Sequence, residues 1–355
     1  RYTPPAQVMG RRQDIVDAVF ERSFNKLSEA GRNVFLLVAN WKSNVPEIGL
    51  IVVLGVRGID AIAGLEECRR LSLVYLMELP SSENFYSVPQ LARNFANKKL
   101  QGDPDRLVIQ QDLLTLQKFG VSSAVLTGDD SESRLIAQFT EECFREIGKE
   151  KETIARADKL LEALSNSWAP GWRKLAAFRR RSGADCEAVG YALRRAVEEE
   201  PFSKEAWLDR AEFAKVVGDK GVRIASLVSA VDADPQDVEL VRDVAFQLCD
   251  YVNSHKYEIP KARRGVYLAS VRSHMQRVAS KLDATGLSRL AWLFLLEENV
   301  TKAREYAIKG CDIDPTNSHC LKILERIEGN PGGGFGIHPG LPSGDGWDRA
   351  FYSAS

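Results

Sequence analysis

Three times in the second half of this chain, an acidic residue followed by proline closes an apolar-periodic stretch: Glu200-Pro201, Asp234-Pro235 and Asp314-Pro315. Proline has no N–H to donate and its ring clashes with the preceding turn, so each pair predicts a helix end. Pro201 and Pro235 lie 34 residues apart, and Pro315 lies 80 residues beyond Pro235. A helix stop that recurs at a fixed period predicts stacked helix pairs, none of which can bury its apolar face alone. The longer interval is not a multiple of 34, and an extended helix pair over about 237–281 would fill it.

The residues within these units resemble the tetratricopeptide repeat, whose period is 34. In the last unit Leu290, Ala291, Phe294, Ala303, Ala307, Gly310 and Pro315 stand at that family's large and small packing positions. In the unit ending at Pro235, Trp207, Ala211, Gly218, Leu227 and Ala230 do so, while Arg223 takes a position that is normally small. The unit ending at Pro201 matches at Ala177, Leu193 and Ala196. Small residues let paired helices approach closely, and the proline ends the second helix before the next repeat.

The first hundred residues read differently. Ile15, Val16, Val19, Phe20, Phe24 and Leu27 recur at helical spacing and predict one apolar face. Ser28 predicts the cap of a second helix carrying Val34, Phe35 and Val38. Pro46 suits the first turn of a third, through Ile48, Val52 and Leu54, and Ile59, Ile62 and Leu65 make a fourth. Residues 71–79 are rich in strand formers, 80–84 carry turn chemistry, and Phe85, Tyr86, Ser87 and Val88 return as a second strand. Pro89 then starts a helix with Leu91, Ala92, Phe95, Ala96 and Leu100 on its inner face. Several helices, one hairpin and a final helix describe a winged-helix unit. Beyond it no further strand is predicted. Asp103 caps a helix with Leu107, Leu113, Leu114 and Leu116, and 131–164 is amphipathic and helical.

Composition narrows the functional classes. The formal net charge is −1 across 355 residues, so the basic excess usual in proteins that work on phosphate backbones is missing. Six scattered cysteines without a CxxC pair read as small buried residues of a reducing cytoplasm. No apolar run reaches the roughly 18 residues a membrane span needs, and 48–56 is too short. No phosphate loop, dinucleotide fingerprint, zinc-protease helix or nucleophile elbow is present, so no catalytic residue is assigned. The histidines, His255, His274, His319 and His338, lack metal-binding spacing, and no metal ligand is assigned. The glycine run at 332–336 reads as flexible tail. Arg173, Lys174, Arg179, Arg180 and Arg181 form a basic cluster, balanced by Glu198, Glu199 and Glu200. Lys261, Arg263 and Arg264 form a second. Solvated helix faces are the plain reading of both. The first cluster, with Trp207, is the candidate ligand or partner surface.

Four segments of the first block resemble the winged-helix domain of signal-transduction ATPases with numerous domains, the class of apoptotic ATPases, plant resistance proteins and many bacterial regulators and antiphage proteins. They are residues 18–28, 34–39, 65–74 and 86–100. The resemblance implies an ATPase core upstream of Arg1, and position 1 is itself not Met. It implies a winged helix closing over bound ADP, with a Met-His-Asp histidine touching the nucleotide. Val88, Pro89 and Gln90 stand at those positions, and Pro89 can neither carry charge nor donate a hydrogen bond. No cofactor is expected in this chain; ATP or ADP with Mg belongs to the upstream module.

The implied layout is a linker at 1–12, a winged helix at 13–102, a helical connector at 103–165, tetratricopeptide-like repeats at 166–328 and a Gly/Pro-rich tail at 329–355. The implied role is the regulatory and ligand-sensing half of a cytoplasmic nucleotide-driven switch, in bacterial antiphage defence. A protein trigger would bind the repeats, and the upstream ATPase would oligomerise. Two alternatives stay open: a winged-helix transcription regulator, whose hairpin tip bears Glu83 and no basic residue, and a non-enzymatic repeat scaffold for protein partners. A nucleic-acid partner is not favoured. In the tail, Phe335, Trp347, Phe351 and Tyr352 are expected to dock on a surface.

Overall fold

The computed structural model describes residues 15, 17–41, 44–78, 84–118, 131–255 and 260–329. The expectations for the hairpin tip and the tail aromatics lie outside them. The chain is mainly helical with one small three-stranded antiparallel sheet, and it divides into two compact units, one through Pro201 and one from Phe202.

The first unit opens with a helix over 17–24 (α1), then α2 (Glu29–Asn40), β1 (Val45–Pro46), α3 (Glu47–Gly55), α4 (Ala61–Arg70), β2 (Tyr75–Glu78), β3 (Asn84–Ser87) and α5 (Gln90–Gln101). Ser28 caps α2 as its sequence predicts, its side chain accepting the Gly31 N–H. The sheet runs β1-β3-β2, with Tyr86 opposite both Val45 and Leu76. The short strand β1 adds a third strand to the predicted hairpin. Pro46 is tolerated there because β1 is an edge strand, where a missing donor costs no ladder bond. Only Tyr75–Glu78 of the predicted strand 71–79 is paired; the chain turns before it at Ser72, whose φ is 56°.

Helix α3 is apolar on nearly every side because most of its surface is covered. It packs on α4 and β3 and also on α6 (Arg106–Lys118) and α8 (Lys151–Ser167). Leu50, Val52, Val53 and Leu54 are accordingly buried. Arg57, just past α3, donates to Asn33 Oδ1 (2.8 Å) and to Asp112 Oδ2 of α6 (3.0 Å). Several predicted core positions face solvent instead. Ile15, Val19, Ile62, Leu91, Leu107 and Leu114 are exposed. Phe20 and Phe24 dock α1 on Phe95 of α5, and the turns of α5 and α6 are set by Ala92, Phe95, Ile109 and Leu116.

The helical segment predicted at 131–164 is two helices, α7 (Ser131–Phe144) and α8, parted by a turn in which Gly148 holds φ +89°. The unit ends with α9 (Gly171–Ser182) and α10 (Cys186–Glu199).

The second unit is all helix among its described residues. It runs α11 (Lys204–Val216), α12 (Lys220–Ala233), α13 (Val238–Ser254), α14 (Lys261–Arg277), a 3-10 turn, α15 (Ala284–Leu296), α16 (Val300–Ile313) and α17 (Ser318–Glu328). The longer pair α13–α14 fills the interval that the proline spacing left over. Consecutive helices pack together, and α13 also packs on α15. One continuous apolar core results, from Ala211 through Val244, Leu248 and Leu290 to Ile323.

Both kinds of corner follow one sequence rule. Glu200, Asp234 and Asp314 are the C-caps of α10, α12 and α16. Proline follows each, and two residues later Ser203, Asp237 or Asn317 caps the next helix through its side chain. Within a pair the chain turns through a left-handed residue: Gly183, Gly218 or Glu298. At each of these turns an N–H reaches back five residues, as Asp219 N does to Ala214 O (2.9 Å) and Asn299 N to Phe294 O (2.8 Å).

Candidate functional site

The first candidate region is the start of α5. Val88 is buried beneath it, Pro89 is its N-cap without a side-chain cap bond, and Pro89 and Gln90 are exposed. Proline supplies the φ of −58° that a helix start needs, which is its local role here. The chemistry-bearing group nearby is Arg93, one turn further on. It donates to the Trp41 carbonyl and reaches Ser87 Oγ at 3.5 Å, tying α5 to the end of α2 and to β3. Motif matching had no slot for Arg93, though its spacing of one turn from Pro89 was in view.

The basic cluster on α9 does not stay together as a surface. Arg179 is buried, with Nε and Nη2 donating to the two Asp158 oxygens at 2.8 Å each and Nη2 to Glu162 Oε2 at 3.1 Å. The hydrogen bonds to Asp158 hold its pKa above the usual guanidinium value against burial. Arg179 is therefore a clamp between α8 and α9, and its assignment to a ligand surface is corrected. Lys174, Arg180 and Arg181 are exposed, and Arg181 lies 5.3 Å from the centre of the Phe144 ring. Arg173 is half-buried. Glu198 and Glu199 pair with Arg195, at 3.2 and 2.5 Å, rather than with this cluster. Trp207 lies in the other unit on α11, half-buried, with Arg210 5.7 Å from its ring centre.

The cysteines hold no nucleophile among the buried ones. Burial pushes the thiols of Cys68, Cys143, Cys249 and Cys320 up to about 12, so they stay protonated. All six are free thiols.

A cleft of about 620 Å³ lies in the second unit, between α12, α13 and α15. Lys220 and Arg223 line it from α12, Arg242, Phe246 and Tyr251 from α13, and Arg289 from α15. Such a volume is in the range of ligand-binding clefts. Arg289 is 9% exposed, and its guanidinium lies 4.5 Å from the centre of the Phe246 ring. Burial is the main cause that lowers its pKa. Arg223 donates to Gln247 Oε1 at 2.6 Å. The Tyr251 and His255 rings stack at 4.8 Å. Sequence reasoning saw Arg223 only as an irregularity of the repeat; here it is one wall of the cleft.

No protein-family model matches this chain, and no curated protein matches it significantly. Among the described residues, no helix is long and apolar enough to cross a membrane.

Proposed function

We propose that this chain is the regulatory and ligand-sensing half of a nucleotide-driven switch protein of the signal-transduction ATPase class, with an ATPase core upstream of Arg1. The supporting observation is the element order of the first block: helix, strand, two helices, then two strands, with β3 between β1 and β2. That order is the one a winged helix requires, and its segments 18–28 and 65–74 carry the family resemblance. Those two segments meet in space, where Glu67 accepts the Ser28 N–H at 2.9 Å.

In this reading the helix pairs over 166–328 are tetratricopeptide-like repeats that bind a protein trigger. The trigger favours the open switch only through higher affinity for that state. Pro89 leaves α5 to act by packing and domain closure, through Arg93, rather than by a side-chain contact to nucleotide. Antiphage defence is the biological setting this class of switch suggests.

The DNA-binding reading draws less support. The exposed residues of α4 include Glu66 beside Arg69 and Arg70, so this helix does not offer the uniform positive face that a duplex backbone attracts.

The test is the coding sequence immediately upstream of Arg1, followed by nucleotide analysis of the full-length protein. A phosphate loop and retained ADP are the expected results. An upstream region without a phosphate loop would overturn the proposal.

A further inference from the structure

We propose that Cys311 and Cys320 form a peroxide-responsive dithiol, whose oxidation to a disulfide pins α17 to α16. The proposal goes beyond the switch reading and stands whether or not an ATPase core lies upstream.

Position carries the argument first. Cys311 lies in the last turn of α16 and Cys320 in the first turn of α17, nine residues apart. The corner between them is fixed by three bonds. The Thr316 N–H donates to Asp314 Oδ1 at 2.9 Å, the Asn317 N–H to the Asp314 carbonyl at 3.1 Å, and the Cys320 N–H to Asn317 Oδ1 at 3.1 Å. Gly310, the chain neighbour of Cys311, makes room for the Cys320 sulfur, which a Cβ at 310 would overlap. The two thiols accordingly lie within hydrogen-bonding reach of each other.

Packing alone does not ask for sulfur at either place. Cys311 stands three residues before the C-cap Asp314 and Cys320 six after it. The same count from the C-caps Glu200 and Asp234 gives Val197 with Ala206, and Val231 with Leu240. Plain apolar residues serve the other two corners, and a pair of thiols is particular to the last.

Accessibility assigns the two roles. Cys311 is half-buried and can meet a small oxidant, whereas Cys320 is fully buried. Burial is the main cause that pushes the Cys320 thiol up to about 12, and the Arg289 charge acts in the opposite sense. Cys320 therefore stays protonated until a neighbouring sulfur turns electrophilic. In the first step the Cys311 thiolate attacks one oxygen of hydrogen peroxide. The O–O bond breaks, hydroxide leaves, and Cys311 becomes a sulfenic acid. In the second step the Cys320 sulfur attacks the Cys311 sulfur. The S–S bond forms, the S–O bond breaks, and the departing hydroxide takes the Cys320 proton away as water. The thiols are oxidised and the peroxide is reduced to water.

The consequence follows from the place. Helix α17 packs on α15 and α16 and contributes Ile323 to the apolar core. A disulfide across its first turn removes the open arrangements in which α17 leaves α16.

The experiment is peptide mapping by mass spectrometry on the 355-residue chain carrying Cys186→Ser, which removes the exposed thiol and its route to disulfides between molecules. Hydrogen peroxide is the probe, followed by iodoacetamide under denaturing conditions without reductant. Trypsin cuts after Lys309 and Lys322, so the peptide 310–322 carries both cysteines. After peroxide this peptide is expected to weigh about 2 Da less than its reduced form and to take no label. After dithiothreitol both thiols should take it. Amide hydrogen exchange across α17 should slow about fivefold or more on oxidation and recover on reduction. Cys311→Ser should leave Cys320 unoxidised and the exchange unmoved by peroxide. Cys320→Ala should stop Cys311 at the sulfenic acid, trapped there by dimedone. Two labelled thiols after peroxide, or a sulfinic acid at Cys311 beside an unoxidised Cys320, would overturn the dithiol. A disulfide that leaves exchange across α17 unchanged would overturn the pinning.

Discussion

The carboxylate of Glu67, on α4, accepts the backbone N–H of Ser28 at 2.9 Å, from 39 residues away in the chain. Ser28 in turn caps α2 by accepting the Gly31 N–H at 3.2 Å. A local capping box would place an acidic residue three positions after the serine. Here that position is Gly31, and the reciprocal bond comes from another helix. The glycine is what admits it, since a Cβ at position 31 would stand 2.7 Å from Glu67 Oε2. Glu67→Ala removes one half of this paired cap and should cost about 1 kcal/mol in urea denaturation. Glu66→Ala, on the exposed side of the same helix, should stay within about 0.5 kcal/mol. Equal losses at the two positions would rule out the tertiary cap.

Acid should weaken the fold through a small set of carboxylates. The Ser28 backbone bond lowers the pKa of Glu67, the Lys118 bond that of Glu146, and the Leu240 backbone bond that of Asp237. A carboxylate whose folded pKa lies below its unfolded value stabilises the fold above the unfolded value, about 4. That contribution is lost as pH falls through the folded value. Asp112 works in the opposite sense: burial raises its pKa despite Arg57, so its contribution improves on acidification. Glu305, held by Lys302 and Lys309, is lowered as well, and four lowered carboxylates against one raised give a net loss. Thermal unfolding midpoints should fall steeply below about pH 4, and Glu67→Gln should flatten part of that slope. A slope identical in the variant would exclude Glu67 as a contributor.

What the sequence made legible was the punctuation of the helices. Ser28, Pro201, Pro235 and Pro315 act locally, on bonds within a few residues, so their effect can be read without the rest of the chain. The same holds for the extended pair α13–α14, which follows from counting between stops. The strand β1 was not legible, because two residues make no periodic pattern and Pro46 argues against a strand unless its edge position is known. The tilt of α6 was misjudged because its leucines outnumber the places for them: Leu107 and Leu114 are exposed while Asp112 and Thr115 are buried. Arg179 looked like surface because its partners, Asp158 and Glu162, sit on the previous helix. The cleft was invisible for the same reason, its cations being brought together only by the stacking of three helices.

The left-handed turn at Glu298 offers a stabilising substitution. Its φ is 64°, while the equivalent turns use Gly183 and Gly218. An L residue in this conformation costs about 1 kcal/mol relative to glycine, and Glu298 is exposed with no packing role to lose. Glu298→Gly should raise the denaturation midpoint by the equivalent of about 0.5–1 kcal/mol. Gly218→Ala should lower it by about 1 kcal/mol or more, since nothing crowds the site and the backbone strain acts alone. A destabilised Glu298→Gly protein would show that the side chain contributes more than its conformation costs.

Arg179 separates a structural cation from a surface one. It bridges Asp158 and Glu162 of α8 while itself buried, whereas Arg180 and Arg181 on the same helix are exposed. Truncating one partner of a buried pair usually costs about 3–5 kcal/mol, because the remaining charge is left in a poor environment. Asp158 and Glu162 are partly exposed and can regain water, which reduces the expected loss at Arg179→Ala to about 2 kcal/mol. Arg180→Ala and Arg181→Ala should each stay within about 0.5–1 kcal/mol, the larger value allowing for the contact of Arg181 with Phe144. Arg179→Met tests the origin of the loss. It keeps much of the aliphatic packing, so a loss as large as that of alanine assigns the effect to the two carboxylates, and full recovery assigns it to packing. The measurement is urea denaturation of the four variants in parallel. If all four lie together near the wild type, Arg179 belongs with its neighbours on the surface and the clamp between α8 and α9 is wrong.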